Sequence, residues 1–309
     1  MSMGEERALV IGEALVDAVV RADGSTDRHP GGSPANVALG LARLGRRADL
    51  LTWLGEDSDG ALVRRHLEAS GVRVLSGLTG PNHTSAATAH LDAAGVATYV
   101  FDLEWDLPSR YEEDAEPPVV VHTGSIAALL APGGARVETE LGRHRATSTL
   151  TYDPNLRPSI IGPADANRHV IERIVAAVDV VKVSDEDLAW LYPDETPAQV
   201  AERWAQAGPA LVVVTLGGEG ALACTCAGLQ LTVPAESVTV ADTVGAGDSF
   251  MGGLIDGLWS AGLLGADRRA ALRTADAAVV ERILRRCARI AAITVSRPGA
   301  NPPTSAELV

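Results

Sequence analysis

Short runs of β-branched residues alternate with helix-length stretches through the second half of this 309-residue chain, and that rhythm leaves few architectures open. Val119 to Thr123, Leu150 to Asp153, Val180 to Val183 and Leu211 to Thr215 read as strands, with helices near Arg136 to His144 and over Ala164 to Ala177. Connections of that length are crossovers rather than hairpins, so the strands should lie parallel with helices on both faces of the sheet. The first half starts the same way. Ala8 to Ile11 is a buried strand ended by Gly12, Ala48 to Leu54 is another strand, and Asp57 to Ser70 is a helix closed by Gly71. From Thr84 to Leu103 the rhythm changes to strand, turn at Asp92-Ala-Ala-Gly95, strand, with no room for a helix between. A hairpin inserted into an α/β chain is expected to stand outside the main core. With 46% apolar residues the chain can bury one large core, with a small appendage, better than two equal ones.

Asp242-Thr-Val-Gly-Ala-Gly-Asp-Ser-Phe250 is a small-residue turn that opens directly into a helix. Gly245, Ala246 and Gly247 let backbone N–H groups approach an anion closely, aided by the positive end of the helix dipole. Asp248, in the first helical turn, is placed to accept the proton of an attacking alcohol. Cradle plus base suggests phosphoryl transfer; an acidic residue that merely stabilises a helix start after a glycine turn has the same local pattern. A second stretch, Gly31-Gly-Ser-Pro-Ala-Asn36 running to Gly45, puts Asn36 in the first turn of a helix. There an amide either caps the backbone or offers a donor and an acceptor to a polyol. Asp17 lies in the mostly apolar stretch Glu13 to Val20, where its carboxylate needs a partner such as a hydroxyl, or an exposed position on the polar side of a strand.

The 242–250 string resembles the carboxy-terminal signature of the PfkB, or ribokinase-like, family of carbohydrate kinases. Gly31 to Gly45 resembles that family's amino-terminal signature, and the two occur in the family's order. The resemblance implies a ribokinase-like α/β fold over residues 1–309, a three-layer sandwich with a mainly parallel central sheet and a small β-sheet lid. Segments near 16–20, 72–75 and 84–105 are assigned to the lid. It further implies ATP-dependent phosphorylation of a sugar, with Asp248 as the base and Gly245 to Gly247 as the anion hole. Asp17, Gly32 and Asn36 would bind substrate, and Phe101, with Leu103 and Trp105, would cover the sugar ring or bury a homodimer contact between lids. Asp153-Pro-Asn-Leu-Arg157-Pro resembles a string of fructokinase-like members, which makes Arg157 a clamp over the site. ATP would lie on Ser184, Thr215, Gly217, Gly220 and Ala288. Lys182-Val-Ser184-Asp-Glu-Asp187 resembles the family's Asn-x-x-Glu segment, with serine for asparagine and aspartate for glutamate, and links Asp187 indirectly to Mg2+. Asp242, the Val244 carbonyl and Gly299 would hold a monovalent cation such as K+. Fructose is the favoured acceptor, with 2-keto-3-deoxygluconate and ribose as rivals, and a silent sugar- or nucleotide-binding regulator is the reading from another class.

A net charge of −14 argues against nucleic acid or an anionic membrane as partner. Three cysteines build neither a disulfide framework nor a zinc site, which suits a reducing cytoplasm. No apolar run is long enough to span a membrane, and the first residues lack the basic and apolar regions of a signal peptide. Neither a P-loop nor a dinucleotide fingerprint is present.

Overall fold

A computed structural model describes residues 6–77, 80–92, 97–112 and 114–308. Among the described residues thirteen strands and ten α-helices follow one another. The first half contributes β1 (Arg7–Ile11), β2 (Leu15–Val20), β3 (Thr26–Gly31), α1 (Ser33–Arg43), β4 (Arg47–Leu51), α2 (Ser58–Glu68), β5 (Val72–Leu75), β6 (Ala86–Leu91) and β7 (Ala97–Asp102). The alternating half runs β8 (Val120–Gly124), α3 (Gly133–His144), β9 (Thr149–Asp153), α4 (Pro158–Ile161), α5 (Ala164–Ala177), β10 (Val180–Ser184), α6 (Asp185–Leu191), α7 (Pro197–Ala207) and β11 (Leu211–Thr215). The chain closes with β12 (Ala221–Thr225), β13 (Gln230–Val233), α8 (Ala246–Ser260), α9 (Arg269–Arg273) and α10 (Ala277–Val295).

Nine strands form the large sheet in the order β13-β12-β11-β10-β9-β8-β1-β4-β5. Every pairing from β11 to β5 is parallel, as the crossover lengths require, and only β12 and β13 at one edge are antiparallel. Period-two alternation gives β1, for example, two apolar sides: Ala8 and Val10 face one core, Leu9 and Ile11 the other. The first core is closed by α1, α8 and α10 through residues such as Leu41, Leu254 and Leu284. The second is closed by α3, α5 and α7 through Leu141, Ile174 and Trp204. Helix, sheet and helix thus make three layers. Strand order runs outward in both directions from β1 and β8, so the chain splits there and leaves a crevice at the carboxyl ends of the strands.

The small sheet has the order β3-β2-β6-β7. Two expectations about it are corrected. Val72–Leu75 is not part of it: β5 pairs parallel with β4 at the edge of the large sheet, where Val72 and Leu75 bury against the cores. Its fourth member is instead β3, whose sequence Thr-Asp-Arg-His-Pro-Gly carries no strand signal. Trp105 does not face outward either; it is buried, and its Nε1 donates to the Ala127 carbonyl at 2.9 Å. The turn expected at Asp92–Gly95 and the strand residue Val96 lie largely outside the described residues, and β7 begins at Ala97. Among the described residues no helix is long and apolar enough to cross a membrane.

Candidate active site

The crevice is a cleft of about 1170 Å3 that runs from the small sheet to the far end of α10. Its floor is the amino-terminal turn of α8. Gly245 adopts φ 76°, the left-handed region that glycine tolerates best, and so turns the chain sharply enough for the helix to begin at Ala246. The backbone N–H groups of this first turn have no partner inside the helix, although that of Ala246 donates to the Thr243 carbonyl at 3.3 Å; the turn lines the cleft, and the helix dipole adds positive potential there. Asp248 is buried at the third helical position.

Asp248 is held from three sides. Ser33 Oγ donates to its Oδ1 at 2.6 Å, Asn36 Nδ2 to its Oδ2 at 2.8 Å, and Asn155 Nδ2 to Oδ1 at 3.2 Å. Ser33 and Asn36 reach it because α1 starts directly after Gly32, where φ 103° and a backbone approach to the Glu13 carbonyl leave no space for a side chain. Arg157 bonds within its own loop, to the carbonyls of Asn155 and Leu156 and to Asn155 Oδ1 at 2.7 Å. It therefore aims the Asn155 amide at Asp248, in addition to lending its charge to the cleft.

The small sheet forms the opposite wall. Asp17, Ala87 and Phe101 lie side by side in register on β2, β6 and β7, and all three line the cleft. The Asp17 carboxylate has no hydrogen-bond partner among the described residues. Restricted hydration between the walls raises its pKa, with Arg157 and His29 pulling the other way. Tyr99 stacks on Phe101 with ring centroids 6.2 Å apart and shares the wall. Glu13 closes the deep end beside them. It is buried, its Oε2 accepts from the Ala127 N–H at 3.2 Å, and its pKa is pushed up to about 7, mainly by burial.

Towards α10 the lining is small and open: Ser184, Thr215, Gly217, Gly220 and Ala288 all contribute, as does Val244. Asp187 is there too, but both its oxygens are engaged. Oδ1 accepts from the Leu156 N–H at 2.9 Å and Oδ2 from the Ser184 N–H, the latter as half of a capping box that starts α6. Asp242 lies outside the cleft lining and ties two loops together, Oδ1 accepting from the Val244 N–H and Oδ2 from the Gly299 N–H, both near 3 Å. Among the described residues there is no group of three or more His, Cys, Asp or Glu side chains fit to hold a metal ion. Sequence reasoning missed Ser33, Asn155, Glu13 and Tyr99. Of these, Ser33 and Asn155 sit inside strings that the resemblance had already singled out.

Residues 5–307 match the family model described as "pfkB family carbohydrate kinase". This chain belongs to that family. The kinase is 35% identical to a fructokinase of Rhizobium leguminosarum bv. trifolii over 263 residues, covering 81% of this chain and 79% of the relative. Its fold superposes with TM-score 0.80 on a double mutant of the fructokinase of Vibrio cholerae bound to fructose, ADP and potassium ion, at 25% identity over 100% of this chain and 98% of that one. With the fructokinase of Xylella fastidiosa bound to ATP the TM-score is 0.81 at 23% identity, over 99% and 97% of the two chains. The fold and the sugar-kinase class that the sequence motifs implied are therefore those of this protein.

Proposed function

We propose that this sugar kinase transfers the γ-phosphoryl group of ATP to fructose. The observation that carries the reading is the placement of Asp248, fixed by Ser33, Asn36 and Asn155 at the lip of a glycine turn that opens a helix, opposite the unpaired Asp17. The fructokinase names of the relatives point to fructose among sugars, and so does the resemblance of Asp153-Pro-Asn-Leu-Arg157-Pro to a string of fructokinase-like members.

Sugar binds against the small sheet. Asp17 accepts from its hydroxyls, Gly32 and Asn36 complete the polar contacts, and Phe101 and Tyr99 cover the C–H face of the ring. ATP lies along Ser184, Thr215, Gly217 and Gly220, with Ala288 and its helix beside the base. Asp248 takes the proton of the attacking hydroxyl as the sugar oxygen bonds to phosphorus and the bond to ADP breaks. Because the transition state is loose, the proton leaves late, and positioning matters more than the basicity of a carboxylate. The N–H groups of Gly245 to Gly247 face the charge that develops on the transferring group.

Mg2+ would neutralise the phosphate oxygens in such a reaction. The residues fit an ion carried mainly by the nucleotide, since Asp187, the nearest expected ligand, already spends both oxygens on backbone N–H groups. A K+ site at Asp242, Val244 and Gly299 and a dimer through the small sheets, where Val100 is exposed, complete the proposal. The deciding experiment is coupled ADP release with Mg-ATP against fructose, 2-keto-3-deoxygluconate, ribose and adenosine. Dominant turnover of fructose is expected, and preference for another acceptor would replace fructose with that sugar.

A further inference from the structure

Lysine occurs once in this chain, at position 182; every other member of its 26 lysines and arginines is an arginine. Among the described residues arginine serves the surface ion pairs, apart from the one between His83 and Asp102, so composition alone does not explain the exception. The two residues differ physically. A lysine ammonium is a compact point charge with three rotatable donors, whereas guanidinium is a broad planar fork.

Lys182 is 3% exposed, at the centre of the large sheet on β10. Its neighbours Val181 and Val183 bury in one core, so alternation turns Lys182 to the other face, beneath α8. That face carries a polar seam made of His122, Thr149, Thr151, Asp153 and Lys182, all buried. The seam ends at the glycine turn. Lys182 Nζ donates to Asp153 Oδ2 at 2.9 Å, its one hydrogen bond among the described residues, and it lines the cleft. A Cβ on Gly247 would come within 2.8 Å of the same nitrogen, so the second glycine of the turn leaves room for the ammonium as well as for a ligand. The charge is maintained: burial acts to lower the pKa of Lys182, but Asp153, Asp187 and Asp248 outweigh it and raise the value. Burying an ion pair is an inefficient way to gain stability, because apolar residues of similar volume do as well or better.

We propose that Lys182 supplies a fixed positive charge for the phosphoryl-transfer step, its ammonium stabilising, from beneath Gly247, the charge that builds on the transferring group. Asp153 anchors the ammonium, and Lys182 keeps all its protons while Asp248 accepts the one released by the hydroxyl. The proposal rests on the kinase reading above, which wild-type turnover tests separately.

A single lysine makes the test direct. Protein labelled with 13Cε and 15Nζ lysine gives one side-chain signal, which is followed in the sugar–ADP complex before and after aluminium fluoride is added to mimic the transferring phosphoryl group. A shift on forming the aluminium fluoride complex is expected; an unchanged signal overturns the proposal whatever the variants do. The second arm removes both charges together in Lys182→Met/Asp153→Asn, so that no unpaired ion is left in the core. This variant is expected to melt near the wild-type temperature and to keep its KM for ATP within a few-fold while kcat falls about 100-fold, the scale of losing one oxyanion-hole donor. A folded double variant with wild-type kcat would reduce Lys182 to half of a structural ion pair and overturn the proposal. Should the double variant fail to fold, the signal of the wild-type protein decides.

Discussion

Asp248 makes its three side-chain hydrogen bonds to residues from two separate strings, Ser33 and Asn36 on one and Asn155 on the other. Asp248→Asn keeps the shape and removes the proton acceptor. It is expected to lower kcat by about 10²- to 10⁴-fold, the usual range for a general acid–base group, with little change in KM for ATP. Steady-state ADP release checks this, and near-normal kcat would remove Asp248 as the base. Glu13 gives a prediction about pH. Its carboxyl is raised from the ordinary 4.5 to about 7, first by burial and then by Asp248, against the pull of Ser125 and Arg157. Between those values the folded protein holds a proton that the unfolded chain has released. The stability associated with it is complete below pH 4.5 and is lost as pH rises through 7, on the order of 3 kcal/mol in all. Glu13→Gln should remove that part of the slope when Tm is measured across the window. An unchanged slope would mean that Glu13 is ionised in the fold.

At the scale of elements, α6 shows how a motif can be legible while its job is not. Ser184-Asp-Glu-Asp187 is readable as a helix start, and its likeness to a metal-linked family segment gave Asp187 a role near Mg2+. In the fold Asp187 accepts two backbone N–H groups, from Leu156 and Ser184, and so joins α6 to the loop that carries Asn155 and Arg157. Asp187→Ala should cost about 1–3 kcal/mol through the lost cap and the unsatisfied buried N–H, equally with and without Mg2+ in thermal unfolding. A penalty seen only with Mg2+ would restore the metal role. The parallel strands and the α8 turn were legible because apolar periodicity and glycine placement are local. Sheet membership is not local. Val72–Leu75 has the composition of either sheet, and only its pairing with β4 assigns it; β3, exposed over most of its length, has no apolar face to announce it. Lys182 stands in the legible string Lys182-Val-Ser184-Asp-Glu-Asp187, yet its importance depends on which way β10 turns it, and that is set by tertiary packing.

Across the whole molecule, the two walls of the cleft differ in what holds them. The floor belongs to nine strands buried between helix layers, whereas the small sheet has four strands and exposes Tyr99, Val100 and part of Phe101. A wall with fewer buried contacts opens at lower free energy than the core, so ligand binding should show there first. Asp17 and Phe101 sit on that wall and Asp248 on the floor, so a sugar that touches both must draw the small sheet onto the large one. Hydrogen exchange of Leu15–Val20, Ala86–Leu91 and Ala97–Asp102 is therefore expected to slow when sugar is added, with β8 to β10 unaffected. ATP alone should leave the small sheet exchanging as before if, as proposed, the nucleotide lies along β11 and α10. Phe101→Ala should raise the KM for sugar and lose most of this protection while ATP affinity stays the same. Equal protection of the small sheet by ATP and by sugar would show that the cleft closes as one body, and Asp17 would then have no separate part in recognising the acceptor.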